Sequence, residues 1–407
     1  MPEHQDIGLA NHTLVVPTYQ RPALLKRLMS FLALNGQPMR VLVLDSSRDD
    51  NAAINRQTIE GLGGFARYRH FDSSIPMASK LAKGLADVET PTASFCADDD
   101  LVFPSAIFNA LDMLDANPDH VSVHGLYFNF GEHGHDIQIM GEYAGYSIDA
   151  SHPGARIFRL MQSYESVFYG VFRTAQIRQI FEGVAALPSL HYQELFQSTA
   201  AMILGKVARL PVFYAARRSG PAAEPDRDKW QTYYWFAEDP TEFMQHYRDY
   251  RDHLWSFYQT HSGSAALSRG EFDRICDMCH IMYFSKNCPP AYFHSVLQPF
   301  WPNDAFDERE GDLFADLGPG EDVPERSAGW LEALLSKMLQ AVTHARRFEP
   351  TENAKTDLES LNAEVRALGG TSWNAKIVRD LSWLANNDDF RRRYLNLCEY
   401  LNAAPAD

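Results

Sequence analysis

The chain has 407 residues, of which 45% are hydrophobic and 12% aromatic, and it carries a formal net charge of −16. This much apolar material is enough for the cores of two or three domains, which indicates a globular protein. The acidic excess argues against binding to nucleic acid or to an anionic membrane, because both require a basic surface. A small ligand with phosphate groups would therefore need a metal ion or a local group of basic side chains.

The first residues lack the apolar segment of a signal peptide, and no apolar run approaches the length needed to cross a bilayer. We therefore expect no transmembrane segment and a cytoplasmic location. The odd number of cysteines, five in all, fits reduced thiols better than a disulfide framework. The stretch Cys276 to His280 matches a haem-attachment pattern and, with Cys288, could contribute to a zinc site. Because it lies within a predicted amphipathic helix, Glu271 to Ser285, we interpret it as part of a helical core.

Strand and helix patterns alternate four times in the first part of the chain. Apolar runs predict strands at Leu14 to Thr18, Met39 to Leu44, Ala66 to Phe71 and Thr92 to Cys96, with helices between them. Further apolar segments follow at Val121 to Phe130, Val167 to Arg173 and Gly205 to Tyr214. This alternation predicts an α/β fold with a mainly parallel sheet flanked by helices on both faces.

Three consecutive carboxylates, Asp98, Asp99 and Asp100, follow the fourth predicted strand. Because side chains alternate along an extended backbone, Asp98 and Asp100 are expected to point to one side and Asp99 to the other. Two carboxylates on one side suit Mg²⁺ or Mn²⁺ that is shared with substrate phosphates. A loop whose aspartates cap the helix that begins near Pro104 is an equally good interpretation.

The composition changes after Pro221, where strand patterns fade and aromatic-rich helical patterns begin. We therefore predict a domain over residues 1–220 and a helical domain over residues 221–407, with an internal linker near residues 302–326. The helical domain is expected to pack on the first domain or to mediate a homo-oligomer. Its last predicted helices are Trp330 to Arg347, Thr356 to Leu368 and Ser372 to Leu401.

Three motifs stand in a characteristic order. The segment Val16 to Pro22 reads V-P-T-Y-Q-R-P after the first strand, Asp45 to Ser47 follows the second strand, and Ala97 to Asp100 follows the fourth. In this order and spacing the chain resembles the family 2 glycosyltransferases with the GT-A fold, which open with a V-P-T-[FY]-N-R-like strand. Gln20 stands where the family usually has asparagine. The resemblance covers about residues 11–220.

The resemblance implies a nucleotide-diphosphate sugar as donor and Mn²⁺ or Mg²⁺ as cofactor. Asp98 and Asp100 match the D-x-D motif for the metal ion and the ribose-diphosphate. Asp45 matches the position that accepts a hydrogen bond from the base, although it also suits a helix cap. Lys80 departs from the family pattern of a basic residue with asparagine. The nucleotide-sugar-binding positions that the resemblance implies are Pro17, Thr18, Tyr19, Arg21, Asp45, Lys80, Asp98 and Asp99.

On the acceptor side, Phe168 to Arg173 resembles the glycine-containing strand of the family. The catalytic Glu-Asp pair of the family has a counterpart only in Gln193-Glu194, within a helix that Pro188 is predicted to open. We predict Glu194 as the general base that activates the acceptor, with His191 on the same helix face as the alternative. A first-turn acid favoured by the helix dipole is the other interpretation of Glu194.

The implied function is metal-dependent transfer of a sugar, with inversion, to a hydroxyl of a glycan, a small molecule or a protein. A nucleotidyltransferase of related fold is one alternative. The loop after the first strand, however, lacks the glycines with which that class grips a triphosphate. A catalytically inactive protein that binds nucleotide sugars or acts as a scaffold is the other alternative.

Overall fold

A computed structural model describes residues 10–35, 39–62, 64–133, 136–143, 145–219, 239–262, 267–287, 372–373 and 388–403. Cys288, the predicted linker near residues 302–326 and the predicted helices Trp330 to Arg347 and Thr356 to Leu368 lie outside these residues. The division of the chain at residue 220 stays a prediction. None of the helices in the described ranges is both long and apolar enough to span a membrane.

One mixed sheet runs through the described part of the chain. Its strands, in chain order, are β1 (His12–Thr18), β2 (Arg40–Asp45), β3 (Ala66–His70), β4 (Thr92–Phe95), β5 (Leu101–Val102), β6 (His120–His133), β7 (Asp136–Tyr143), β8 (Val171–Arg173), β9 (Lys206–Arg218) and β10 (Ser372–Trp373). Their spatial order is β10-β7-β6-β8-β4-β1-β2-β3, with β9 paired to β5 and β6.

Helices connect and cover these strands. They are α1 (Pro22–Leu34), α2 (Asp49–Glu60), α3 (Met77–Leu85), α4 (Pro104–Ala116), α5 (Pro153–Gln162), α6 (Thr174–Val184), α7 (Leu190–Leu204), α8 (Pro240–His261), α9 (Arg269–Asn287) and α10 (Asp388–Ala403). The predicted α/β fold, with helices on both sheet faces and a helical C-terminal region, is confirmed in the described residues.

The order of the sheet places the ends of β1, β2 and β4 side by side. These strands run parallel, with β1 between β2 and β4, and β3 extends the parallel set beyond β2. The other half of the sheet is mixed, because β8 is antiparallel to both β4 and β6. Polar residues just after β1, β2 and β4 therefore meet at one edge, where open α/β sheets bind ligands.

Alternating side chains of the central strands supply two separate cores. Leu14 and Val16 belong to the core that also contains residues of α1 and α4, whereas Val15 belongs to the core on the opposite face. The same alternation places Val43 in the first core and Leu44 in the second. A strand whose side chains are apolar on both faces is typical of a sheet covered on both sides.

The C-terminal helices complete both cores. Buried residues of α8 and α9 share the core that contains α3, α5, α6 and α7, and buried residues of α10 share the core of α1 and α4. In α9, His280 is fully buried, with Nδ1 2.7 Å from the carbonyl oxygen of Cys276 and Nε2 2.9 Å from the Tyr250 hydroxyl. The predicted helix around Cys276 is confirmed, and these contacts make His280 a packing residue.

Three element boundaries differ from the predictions. The apolar run Val167 to Arg173 contributes only its last three residues to a strand, and α7 begins at Leu190 instead of Pro188. The single helix predicted from Ser372 to Leu401 is wrong at its start, since Ser372 and Trp373 pair with β7 as a short parallel strand. An edge strand offers unpaired backbone groups, which explains how a segment with helical composition joins the sheet.

Candidate active site

The acidic motif lies in a turn. Strand β4 ends at Phe95, and the backbone N–H of Asp100 donates to the carbonyl oxygen of Ala97 at 3.1 Å. The expectation that side chains alternate along an extended strand is therefore wrong at this point, because the backbone has already turned. The turn nevertheless buries Asp98 and Asp100 and leaves Asp99 partly exposed.

The first aspartate is paired with two residues that follow β1. The Thr18 hydroxyl donates to Asp98 Oδ2 at 2.6 Å, and Arg21 Nη2 lies 2.6 Å from Asp98 Oδ1. The other terminal nitrogen of the same guanidinium, Nη1, lies 2.7 Å from Asp99 Oδ2. Burial raises the pKa of Asp98 to about 6, and the nearby charge of Arg21 limits that rise.

The third aspartate is held from the opposite side. The Tyr169 hydroxyl donates to Asp100 Oδ2 at 2.7 Å, and the backbone N–H of Arg218 donates to Asp100 Oδ1 at 2.8 Å. Burial, reinforced by the negative charge of Asp99, raises the pKa of Asp100 to about 7. The capping interpretation of the acidic motif is wrong, since Phe103 is the N-cap of α4 and no side chain caps that helix.

The loop that carries Arg21 has a constrained backbone. Gln20 has a φ of 59°, the left-handed region that asparagine adopts more readily than most residues. Its N–H donates to Ser47 Oγ at 2.7 Å, and its side-chain oxygen accepts from Asn51 at 2.9 Å. Gln20 thus holds a left-handed backbone at this position and links the loop to α2. The neighbouring Tyr19 side chain is exposed.

The aspartate at the end of β2 is fully buried. Asp45 Oδ1 accepts from the backbone N–H of Ser47 at 2.7 Å. Oδ2 accepts from Asn55 at 2.9 Å and from the Tyr68 hydroxyl at 2.8 Å. The helix-cap alternative is wrong, because the N-cap of α2 is Arg48. Contact of Asp45 with a nucleoside stays a prediction, and the carboxylate clearly organises the residues around it.

A buried lysine joins the first two strand ends. Lys80 Nζ donates to the carbonyl oxygen of Thr18 at 2.9 Å and to Ser46 Oγ at 2.8 Å. Burial lowers the pKa of Lys80 to about 8, while the carboxylates of Asp45 and Asp98 counteract that shift. Pro17 is buried within β1 and pairs in register with Leu44 of β2. Lys80 and Pro17 therefore fix the strand ends that carry the residues predicted to bind the donor.

The predicted general base lies in the second turn of α7. The Tyr164 hydroxyl lies 3.3 Å from Glu194 Oε1, and burial raises the pKa of Glu194, partly offset by the positive charge of Arg217. No acidic residue occupies the first turn of α7, so the helix-dipole interpretation is wrong. The adjacent Gln193 side chain donates to the carbonyl oxygen of Leu187 at 2.5 Å. Glu194 is the residue of this pair that carries a carboxylate.

His191 lies among aromatic side chains of the second core. Its ring centroid is 5.3 Å from that of Tyr192 and 6.2 Å from those of Phe243, Tyr283 and Phe284. Burial lowers the pKa of His191 to about 3, so the ring is neutral near pH 7. These surroundings are those of a packing residue. They give no support to His191 as the base.

Several residues of the site carry no signal in the sequence that assigns them a role. Arg217 lies with its guanidinium carbon 5.8 Å from the ring centroid of Tyr169, and its charge lowers the pKa of both Asp100 and Glu194. It therefore lies close to the acidic turn and to the predicted base. The basic pair Arg217-Arg218 in an acidic protein was the one available clue. Tyr164 and Tyr169 could not be distinguished from other aromatic core residues.

The donor atoms of the acidic turn fit a divalent ion that is shared with a ligand. Among the described residues, no three His, Cys, Asp or Glu side chains form a ready-made metal site. Buried Asp98 Oδ1 is ion-paired with Arg21 but has no hydrogen bond within the described part of the chain. Hard carboxylate oxygens in this number suit Mg²⁺ or Mn²⁺ when phosphate oxygens complete the coordination.

Comparisons with known proteins found similarities of two kinds, to solved structures and to a family profile. Solved structures of TarS from S. aureus are similar to the chain at low identity. One has 17% identity and a TM-score of 0.45, and it covers 81% of this chain, which spans only 52% of that protein. Another, TarS 1-349 in complex with UDP-GlcNAc, has 14% identity and a TM-score of 0.45, with 96% of this chain and 91% of that one covered. No curated protein matches the chain.

A family profile gives a more specific match. The profile described as "Glycosyl transferase family 2" matches residues 13–181. The matched stretch begins in β1 and ends in α6, so it includes the loop with Arg21, the buried Asp45 and the acidic turn. The resemblance that the motifs carry is confirmed over this stretch. Residues 13–181 are therefore similar to the family 2 glycosyltransferases.

Proposed function

We propose that the protein is an inverting, metal-dependent glycosyltransferase that moves a sugar from a nucleotide-diphosphate donor to an acceptor hydroxyl. The observation that carries the proposal is the buried acidic turn next to Thr18 and Arg21, within a domain that matches the family. Such a turn concentrates carboxylate oxygens at the edge of the sheet where ligands bind. In a protein of net charge −16, a diphosphate needs local positive charge at this place.

The donor side is formed by residues after β1, β2 and β4. Arg21 and Arg217 provide cationic groups near the acidic turn, and exposed Tyr19 offers an aromatic face beside it. Lys80 holds the ends of β1 and β2, and Asp45 holds the start of the loop after β2. We assign Arg21 and Tyr19 to donor contact, and Lys80 and Asp45 to support of the loops that make it.

Asp98 and Asp100 are the residues that would hold a divalent ion together with the donor diphosphate, with Asp99 beside them. Such an ion would offset the negative charge that develops on the leaving nucleoside diphosphate. The protein keeps both carboxylates in place through Thr18 on one side and Tyr169 on the other. Because both groups are buried, a cation that reaches them meets little competition from water.

Glu194 is the proposed general base. Burial raises its pKa, and a carboxylate whose pKa lies closer to neutral accepts a proton from a hydroxyl more readily. The Tyr164 hydroxyl orients the carboxylate from one side. Because Arg217 interacts electrostatically with both Glu194 and Asp100, the base and the acidic turn share one neighbourhood. Direct attack of the activated hydroxyl on the sugar would invert the anomeric centre.

A screen of nucleotide sugars for release of nucleoside diphosphate tests the function. We expect release with Mn²⁺ or Mg²⁺ and none with EDTA. Asp98→Asn and Asp100→Asn should each reduce the rate by about a hundredfold or more, the size expected when a charge-stabilising group is lost. Asp115→Asn, an exposed carboxylate on α4, is the matched control and should retain the parent rate.

The same screen separates the alternatives. Turnover of a nucleotide sugar excludes an inactive scaffold, and preference for a nucleoside triphosphate would indicate a nucleotidyltransferase. For the base, Glu194→Gln should lower turnover by about 10²–10⁴-fold while donor affinity stays close to that of the parent. Glu182→Gln, an exposed carboxyl on α6, is the control. A Glu194→Gln variant with most of its turnover would contradict the assignment of the base.

A further inference from the structure

Asp98 offers one carboxylate oxygen to a cation. Its Oδ2 accepts the hydroxyl hydrogen of Thr18 at 2.6 Å, so Oδ1 is the oxygen that remains for a ligand. That oxygen faces Arg21 Nη2 at 2.6 Å, and the Asp98 side chain is 0% exposed. A divalent ion can therefore bind Asp98 Oδ1 only if the guanidinium of Arg21 moves away from it.

The arginine itself is free to turn toward solvent. Its side chain is 44% exposed, although its two terminal nitrogens pair with Asp98 and Asp99. The loop behind it is fixed, because Gln20 is bound to Ser47 and Asn51. Rotation about the side-chain bonds of Arg21 thus requires no rearrangement of the backbone.

The charges of the site account for such an exchange. The single positive charge of Arg21 offsets one of the two negative charges of Asp98 and Asp99, which it contacts. Asp100 receives its hydrogen bonds from Tyr169 and Arg218 on the other side. When a divalent ion replaces the guanidinium, Arg21 loses its anionic partners. A donor diphosphate supplies a new anionic partner within reach of the same loop, because guanidinium groups bind phosphate oxygens in a bidentate manner.

We propose that Arg21 is a built-in counter-ion that competes with the divalent cation for Asp98 and is transferred to the donor diphosphate when the cation binds. The proposal rests on the metal-dependent donor binding proposed above. It makes cation and nucleotide bind cooperatively, since each favours the state in which Arg21 has left the acidic turn. The coupling is reciprocal, so nucleotide raises Mn²⁺ affinity by the same factor by which Mn²⁺ raises nucleotide affinity.

Titration calorimetry with Mn²⁺ alone, and then with Mn²⁺ in the presence of UDP or GDP, tests the exchange. We expect the parent protein to bind Mn²⁺ weakly alone and more tightly with a nucleoside diphosphate. Arg21→Gln should bind Mn²⁺ alone about tenfold more tightly than the parent, because no charge-assisted contact has to break. The added effect of the nucleotide should be smaller in this variant than in the parent.

Arg217→Gln is the matched control, since it removes one positive charge near Asp100 and leaves the pair of Arg21 with Asp98 in place. An equal gain in Mn²⁺ affinity in both variants would show general electrostatic repulsion and overturn the exchange. If the parent binds Mn²⁺ with nucleotide but Arg21→Gln binds Mn²⁺ alone no better than the parent, only this inference fails. If neither protein binds Mn²⁺ under any of these conditions, the inference fails together with the proposed metal dependence.

Discussion

Replacement of Lys80 by methionine should change the pH dependence of stability in a way that the structure specifies. Lys80 is 3% exposed, and its ammonium group donates to the Thr18 carbonyl and the Ser46 hydroxyl. Burial lowers the pKa of Lys80 from 10.5 to about 8, even though Asp45 and Asp98 favour the charged form. The folded protein therefore holds this proton less tightly than the unfolded chain does.

The sign and size of the effect follow from this difference. Below about pH 8 Lys80 is charged in both states, and the full cost of burying the charge is present. Between about pH 8 and 10.5 the unfolded chain binds more protons, so the free energy of unfolding rises with pH. A difference of about 2.5 pKa units corresponds to about 3 kcal/mol over that whole range, of which about 2 kcal/mol is gained by pH 9.5.

Urea unfolding of the parent and of Lys80→Met between about pH 7.5 and 9.5 measures this effect. We subtract the free energies of unfolding of the two proteins, since other titrating groups then cancel. The parent should gain about 2 kcal/mol relative to the variant across this range. Lys83→Met, an exposed lysine on α3, should show no such trend. If the difference in the free energy of unfolding between the parent and Lys80→Met does not change with pH, the lowered pKa of the buried Lys80 is refuted.

Two further variants test the site and its support. Tyr164→Phe removes a hydrogen bond that lowers the pKa of Glu194, so the acidic limb of the kcat profile should move to higher pH. A pH profile identical to that of the parent would show that Tyr164 does not affect the pKa of the catalytic base. In Gly84→Ala the added Cβ would lie 2.1 Å from Leu44 Cδ1, so thermal unfolding should show a loss of about 1–3 kcal/mol. Stability equal to the parent's would mean that Leu44 repacks without cost.

The parallel half of the fold could be predicted from the sequence because its signals are local. Strands β1 and β2 are apolar on both faces, and the structure divides Leu14 and Val15 between two cores as that pattern requires. The polar residues that end these strands could be placed at one edge for the same reason. The departure at Gln20 has a local basis as well, since its left-handed backbone is held by hydrogen bonds to Ser47 and Asn51.

The partners of the acidic turn could not be predicted, because they come from distant parts of the chain. Asp100 is held by Tyr169 and by the backbone of Arg218, and neither residue has a pattern that reveals a contact with it. The prediction from alternating side chains was wrong for the acidic motif, because the strand ends at Phe95, before the motif begins. Strand ends are the least reliable feature of a sequence-based assignment, and this one carried the argument about orientation.

Helical periodicity could not predict the surroundings of His191, because these also come from distant parts of the chain. A spacing of three residues places His191 and Glu194 near one helix face, but it does not reveal which side of that face meets another helix. Helices α8 and α9 bring Phe243 and Phe284 against His191, so the histidine enters a core and the glutamate lies beside Tyr164. Tertiary packing from the later part of the chain therefore gives the two residues different surroundings.

These contacts tie the proposed base to a part of the chain that the family profile does not include. The profile ends at residue 181, whereas Glu194 and Arg217 follow it. Helix α7, which carries Glu194, is held from behind by α8: the Tyr192 hydroxyl donates to the Phe243 carbonyl at 3.2 Å, and the Tyr250 hydroxyl donates to Thr199 at 3.1 Å. The matched stretch thus contains the donor-side motifs, while the position of the base depends on helices beyond it. We therefore expect the residues that select the acceptor to lie after residue 181, where contacts with α8 position α7.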